Sequence, residues 1–234
     1  MITLDQLAPP SHPPIPICAT VDSALCVGAG GSTGSLPDKP IVRNARGQLI
    51  IPGSQLKGRL RHECEKLARS LGWWIALSPG AEALCPDVVE ERFRECYRVP
   101  TYPGYHCLVS QIFGDPILPA RIAVDDLVCE YEREALGEVI RPGVSINRSR
   151  QTAEDQKLFF LETSPVNAQI PFKGSIHLLA GCPEGAIALL AAAFQHIHAL
   201  GGSKSAGLGW LTWTEAPQVD SDDEIWSKLI APQE

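Results

Sequence analysis

The chain has 234 residues, a hydrophobic content of 44% and a formal net charge of −7. That is enough apolar material for one large domain with a real core, and the negative charge argues against a free-standing nucleic-acid binder. No apolar run reaches the length of a membrane span, so a soluble, cytoplasmic protein without a membrane partner is expected. Eight Cys in such a chain do not suggest a disulfide framework, and twenty Pro and twenty Gly announce many turns.

In chain order, residues 1–16 are Pro-rich and read as extended. Residues 17–27 (ICATVDSALCV) place Ile17, Ala19 and Val21 on one parity and predict a first strand. A Gly/Ser loop over 28–37 leads into an extended segment, Asp38-Lys39-Pro40-Ile41-Val42-Arg43-Asn44. Gly47 marks a turn before Ile50-Ile51. Residues 54–71 predict a helix: Leu56, Leu60, Cys64, Leu67 and Leu71 form one apolar stripe, Ser54 is placed to cap its start, and Gly72 ends it.

Residues 73–110 are irregular, carry a second helical piece around 88–96, and read as an insertion. Residues 121–130 predict a strand. Residues 139–168 hold a hydrophilic stretch between β-type flanks and predict a protruding hairpin. Residues 170–180 predict a strand, 185–200 an Ala/Leu-rich helix, 201–209 a Gly-rich loop, and a last strand runs through Trp213. Strand, helix, strand, strand, helix, strand within a single domain over 1–234 is the α+β, ferredoxin-like or RRM-type plan.

The charges are unevenly spread. Residues 39–69 carry eight basic side chains against Glu63 and Glu65, whereas Asp220, Asp222, Asp223 and Glu224 make the far end acidic. One basic surface on an acidic protein suits a polyanion site within a larger assembly, although a solvated helix face has the same signature. A helix N-terminus after a Pro-Gly turn, with Lys57 and Arg61 one turn apart, suits a phosphate. The Gly-rich loop with Gly202, Ser203 and Lys204, and the hairpin with Asn147, Arg148 and Arg150, are two further polyanion candidates. Neither Gly-rich loop has P-loop spacing, which disfavours a nucleotide kinase or ATPase.

Four segments together resemble one family. Ile51-Pro52-Gly53-Ser54-Gln55-Leu56-Lys57-Gly58-Arg59-Leu60-Arg61 resembles the IPGSSLKGxLR signature of the RAMP superfamily. Ile112-Phe113-Gly114-Asp115 resembles its Leu-Phe-Gly segment, and Val144-Ser145-Ile146-Asn147-Arg148 its Val-x-Ile-Asp-Arg segment. Residues 201–209 (GGSKSAGLG) resemble its C-terminal GGxKxxGxG loop. More narrowly the chain looks like the backbone subunit of type III CRISPR-Cas effector complexes, with subtype D as one home.

That resemblance implies an RRM-like core that polymerises along a CRISPR guide RNA beside neighbouring backbone and other subunits. A thumb hairpin would wedge into the duplex of guide and target RNA. Arg43, Ser54, Lys57, Arg61, Arg148, Gly202, Ser203 and Lys204 are the expected RNA contacts. Asp38 takes the place of the family's target-cutting aspartate, with Asn44 where the family pattern has a second acid. An exposed carboxylate in a loop can accept a proton or hold Mg²⁺ during cleavage through a 2′-hydroxyl; equally, an Asp in such a position can serve only a turn. A non-cutting structural or capping subunit, and a CRISPR RNA-processing endoribonuclease, are the alternatives.

Many relatives carry a zinc knot in the insertion, ending in Cys-x-x-Cys before Phe-Gly. Here Ser110 replaces the last ligand. The remaining set is Cys85, Cys96, Cys107 and one of Cys64, His62 or His106, a possible structural Zn²⁺ site. Cys18, Cys26, Cys129 and Cys182 read as free thiols. His177, His196 and His198 lack an acid at motif spacing and read as surface or satisfied histidines. Trp73, Trp74, Trp210 and Trp213 read as core or interface residues.

Overall fold

The computed structural model describes residues 13–28, 38, 40–77, 89–131, 135–137, 139–166 and 168–232. Its elements are β1 (Ile15–Val21), β2 (Ile50–Ile51), α1 (Gly53–Ser70), α2 (Leu108–Phe113), β3 (Ile122–Val124), β4 (Leu127–Cys129), β5 (Val139–Asn147), β6 (Thr152–Thr163), β7 (Ile170–Leu178), α3 (Ala186–Gln195) and β8 (Leu211–Glu215). The main sheet runs β2-β4-β7-β1-β8, with β3 also paired to β7. If β3 and β4 are taken as one interrupted strand, the order is last, first, third, second, which is the ferredoxin-like arrangement.

The alternation read in the first strand sets the register of the sheet. Ile17, Ala19 and Val21 pair with Gly174, Phe172 and Ile170, all antiparallel, so the apolar residues of β1 and β7 share one face. On that face lie α1 and α3, whose Leu56, Leu60, Cys64, Leu189, Leu190 and Phe194 belong to the main core with Ile17 and Phe172. The Cys64 thiol points across to α3 and donates to the Leu189 carbonyl. Burial among these side chains drives its pKa well above the usual thiol range.

Several boundaries differ from the sequence-based expectation. β1 ends at Val21 because residues 24–28 leave the sheet and pair elsewhere. The strand expected over 121–130 is broken at Asp125 and Asp126: β7 offers Ile176 to Val124 and Lys173 to Val128, so the outer strand carries one extra residue. α3 stops at Gln195, short of residue 200, and the helical piece around 88–96 is a single 3₁₀ turn over Glu91–Phe93. The segment expected as an insertion packs aromatic rings into the core. Phe93 and Tyr97 are fully buried against Trp73, Phe93 tilted at a ring distance of 5.7 Å and Tyr97 stacked at 6.0 Å.

α1 starts one residue earlier than expected. Pro52 occupies the N-cap and no side chain caps the helix from that position, so Ser54 is an exposed helical residue and not the cap. The cap comes from far away: the Gly53 amide donates to Asp126 Oδ1 at 2.7 Å. Gly53 is required there for space. A Cβ would sit 2.2 Å from the Val124 carbonyl oxygen and 2.8 Å from that of Asp125. The expected apolar stripe holds from Leu56 to Cys64 and then turns outward, leaving Leu71 47% exposed.

Glu63 is buried in this helix, held by Arg59 at 2.8 Å and Lys66 at 2.7 Å. Burial alone would raise its pKa, but the Lys66 hydrogen bond and the two cations outweigh it and hold the carboxyl below its usual range.

Two outcomes follow. Gly53→Ala is expected to destabilise the chain by about 2–3 kcal/mol in urea denaturation, because backbone oxygens cannot yield to a methyl group. The lowered Glu63 pKa contributes stability that is complete above the unfolded value of about 4.3 and is lost as pH falls through the folded value. Melts between pH 6 and pH 3 should therefore show a slope that Glu63→Gln flattens.

Candidate nucleic-acid interface

The site residues gather around a short backbone segment, residues 24–28, that follows β1. On one side it receives the Asp38 segment: Val42 N donates to Val27 O at 2.9 Å, and Gly28 bridges Ile41. On the other it receives the Gly-rich loop: Gly202 N donates to Cys26 O at 2.7 Å and Gly209 N to Ala24 O at 2.8 Å. In the middle, Leu25 and Ser164 exchange two hydrogen bonds, Leu25 N to Ser164 Oγ at 2.8 Å and Ser164 N to Leu25 O at 3.0 Å. The structure thus brings the segment that follows Asp38, the base of the predicted hairpin and the Gly-rich loop to one strip of main chain.

Asp38 is exposed, and its Oδ2 accepts from the Phe160 amide at 2.8 Å, at the base of the β5–β6 hairpin. Arg43 is not a free cation. Its Nη2 pairs with Glu162 Oε1 at 3.1 Å and its Nη1 donates to Gly47 O. The other carboxylate oxygen of Glu162 accepts from Ile41 N at 3.1 Å. Glu162 is buried and therefore staples the Asp38 segment to β6 by both ends of its carboxylate. Sequence reading missed it, since its partners lie 121 and 119 residues away. Asn44 acts within its own turn, where its Oδ1 accepts from Arg46 N and Gln48 N and closes the chain reversal before β2.

The Gly-rich loop is rigid at its ends and open at its tip. Gly209 has φ +74°, and a Cβ there would fall 1.8 Å from the Leu200 oxygen, so only Gly fits. Between the pinned ends a 3₁₀ turn, Lys204–Ala206, lifts Ser203, Lys204 and Ser205 into solvent. Trp210, at the end of this loop, is 50% exposed and is not a core residue.

The hairpin forms its own two-stranded sheet. Val144 faces Leu158, and with Ile140 and Ile146 they make an exposed apolar face; Ile146 is 62% and Leu158 60% exposed. At the tip Asn147 Oδ1 accepts from Ser149 N and Arg150 N, leaving Arg148 and Arg150 exposed.

The α1 cations lie at another part of the fold. Lys57 Nζ donates to Ile122 O at 3.4 Å, and Arg61 donates to Gly114 O at 3.0 Å and to Glu65 at 3.1 Å. Desolvation, and then the charge of Arg61, lower the Lys57 pKa. With Asp126 already on the first amide, the start of α1 is partly neutralised by the protein itself.

The described members of the expected zinc set do not fit a zinc site. Cys64 is engaged with α3, Cys107 donates to Ser110 Oγ at 3.3 Å, Cys96 is exposed with its thiol on Phe93 O, and Cys85 lies outside the described residues. His62 is exposed, while His106 is buried and paired through Nδ1 with Asp115 at 2.6 Å. Among the described residues no three His, Cys, Asp or Glu side chains converge on a metal position. Cys18 and Cys129 are buried free thiols, as expected, Cys26 is buried outside any disulfide, and Cys182 is a half-buried thiol whose pKa burial pushes up to about 11. His177 is satisfied across the sheet, its Nε2 2.9 Å from Asp125 Oδ2, and His196 and His198 are exposed.

A family model described as the RAMP superfamily matches residues 19–212. The span covers the main sheet, α1, α3, the hairpin and the Gly-rich loop, and the chain belongs to the RAMP superfamily. The fold is similar to that of a chain in the cryo-EM structure of the Type III-B Cmr-beta bound to cognate target RNA. That likeness has a TM-score of 0.57 at 12% identity and covers 88% of this chain and 98% of that one. No curated protein sequence matches the chain. Among the described residues no helix is long and apolar enough to cross a membrane.

Replacing Glu162 by Ala should release the Asp38 segment. The expected cost is about 2 kcal/mol, since two charge-assisted bonds are lost and Arg43 is left unpaired. Hydrogen exchange at the Ile41 amide should quicken at least tenfold, while exchange in α1 stays as before.

Proposed function

We propose that the chain is a guide-RNA-binding backbone subunit of a type III CRISPR effector complex, and that it cuts target RNA with Asp38. The observation that carries the reading is the convergence of Ile41 and Val42 just after Asp38, Ser164 at the hairpin base and the Gly-rich loop on residues 24–28, with Asp38 itself held on the Phe160 amide. Membership of the RAMP superfamily and the similarity to a chain of an RNA-bound type III-B assembly support it.

In this reading the guide strand lies along the Gly-rich loop, where backbone amides and Lys204 meet phosphates without reading sequence. Arg148 and Arg150 add charge at the hairpin tip, and the apolar face of Val144, Ile146 and Leu158 enters the guide–target duplex. Displacing one base pair there opens the target backbone toward the in-line geometry that 2′-hydroxyl attack needs. Asp38, exposed and fixed by Phe160 N, accepts the proton of that hydroxyl as its oxygen bonds to the adjacent phosphorus, and the bond to the 5′-oxygen breaks, that oxygen leaving with a proton from water. A lone carboxylate does not hold a divalent cation; Mg²⁺ at this place would take Asp38 together with RNA phosphate oxygens and would neutralise the developing charge. Neighbouring copies and other subunits complete the groove, and the structural role of Arg43 and Glu162 is to aim Asp38 into it.

A non-cutting subunit with the same RNA contacts is the second reading, favoured by the absence of another carboxylate in residues 38–44. The two separate cleanly. In the reconstituted complex with target RNA, Asp38→Ala is expected to cut at least a hundredfold more slowly while guide RNA remains bound with unchanged affinity. Cleavage at the wild-type rate would leave only the structural role.

A further inference from the structure

The loop over residues 97–106 is built as a presentation device that the RNA groove does not use. Its neck is closed by the His106 amide on Tyr97 O at 2.7 Å. Below the neck, Gln111 Nε2 clamps the carbonyls of Cys96 and His106 at 2.9 and 2.8 Å. His106 is held by Asp115, whose second oxygen accepts from Ile117 N and Leu118 N. Above the neck, Thr101 has φ +74° and Gly104 φ +87°, and the turn they make sets two half-buried tyrosines around it, Tyr102 within the turn and Tyr105 just after it, packed partly on the core.

These tyrosines, with Arg98, Val99, Pro100 and Gly104, line a cleft of about 590 Å³. Each ring carries a guanidinium: Arg98 Cζ lies 5.7 Å from the Tyr105 centroid, and Arg121 Cζ 5.8 Å from that of Tyr102. Arg121 is fixed in turn by the Ala180 carbonyl at 2.7 Å. Among the described residues neither arginine faces a carboxylate, whereas nearby Arg92 and Arg94 pair with Glu90 and Glu91.

We propose that this cleft binds one unpaired RNA nucleotide, its base stacked on Tyr102 or Tyr105 and its phosphate met by Arg98 and Arg121. Planar aromatic faces beside uncompensated guanidinium groups match the two halves of a nucleotide. The volume lies within the range of small-ligand clefts. A proline-rich peptide also takes tyrosine grooves, but it has no anion for the two arginines. The inference rests on the reading that the chain works on RNA, and it extends that reading to a strand outside the guide–target duplex.

The test uses the full chain with tyrosine rings isotopically labelled, signals being assigned through Tyr102→Phe and Tyr105→Phe. AMP is expected to shift both signals saturably. Single-stranded RNA is then expected to bind about tenfold more weakly to Tyr102→Ala and Tyr105→Ala, with the Phe variants near wild type and the salt slope unchanged. Signals that stay still with AMP, or that move only with a peptide copying residues 8–16, overturn the cleft and leave the Asp38 reading intact. Signals that move in a chain unable to hold guide RNA keep the nucleotide cleft and remove the backbone-subunit reading.

Discussion

The fold depends on the main chain of residues 24–28 being saturated from three directions. A stretch of backbone buried after β1 has to place its amides and carbonyls somewhere, and a sheet edge would be the usual outlet. Here the partners are loops: the Asp38 segment at Val27 and Gly28, Ser164 at Leu25, and the Gly-rich loop at Ala24 and Cys26. Cys26 and Leu25 are buried, so losing any of these bonds would strand polar groups away from water. Three loops from distant parts of the chain are consequently held to one another as firmly as strands are, although almost none of this strip is a strand.

The core of the fold was legible because it obeys simple periods. The two-residue alternation of β1 and the stripe from Leu56 to Cys64 were both found where the sequence placed them. The failures have physical reasons. Ser54 looked like a cap because it precedes an apolar period, but Asp126, 73 residues away, reaches Gly53 first. The outer strand broke because one residue too many was threaded past β7. The packing of Trp73, Phe93 and Tyr97 in the core was not foreseen, since no period announces such a cluster.

The candidate site was legible in its types of residue and less so in its connections. Asp38, the hairpin and the Gly-rich loop were visible as exposed, polar or Gly-rich segments with family-like sequence. The charge of Arg43 is visible in the sequence and its partner is not; Glu162 neutralises it from the base of the hairpin. Lys57 and Arg61 did fall on one face, yet that face is turned to the carbonyls of Ile122 and Gly114. A helix period reveals which residues are neighbours on the helix, and says nothing about which loop arrives opposite them.

The bond between Asp38 and the Phe160 amide makes the hairpin a ruler. β6 advances by about 3.3 Å per residue, so the carboxylate sits at a height along the hairpin fixed by strand register, counted from the buried Glu162 and Thr163 at the base. A slip of β6 by one residue would shift that mark by the same distance, and would turn Leu158 away from the side that Val144 and Ile146 share. In the proposed reading, where a strand of RNA would meet this chain, and which side chain would meet it, are thus set by the same count of residues.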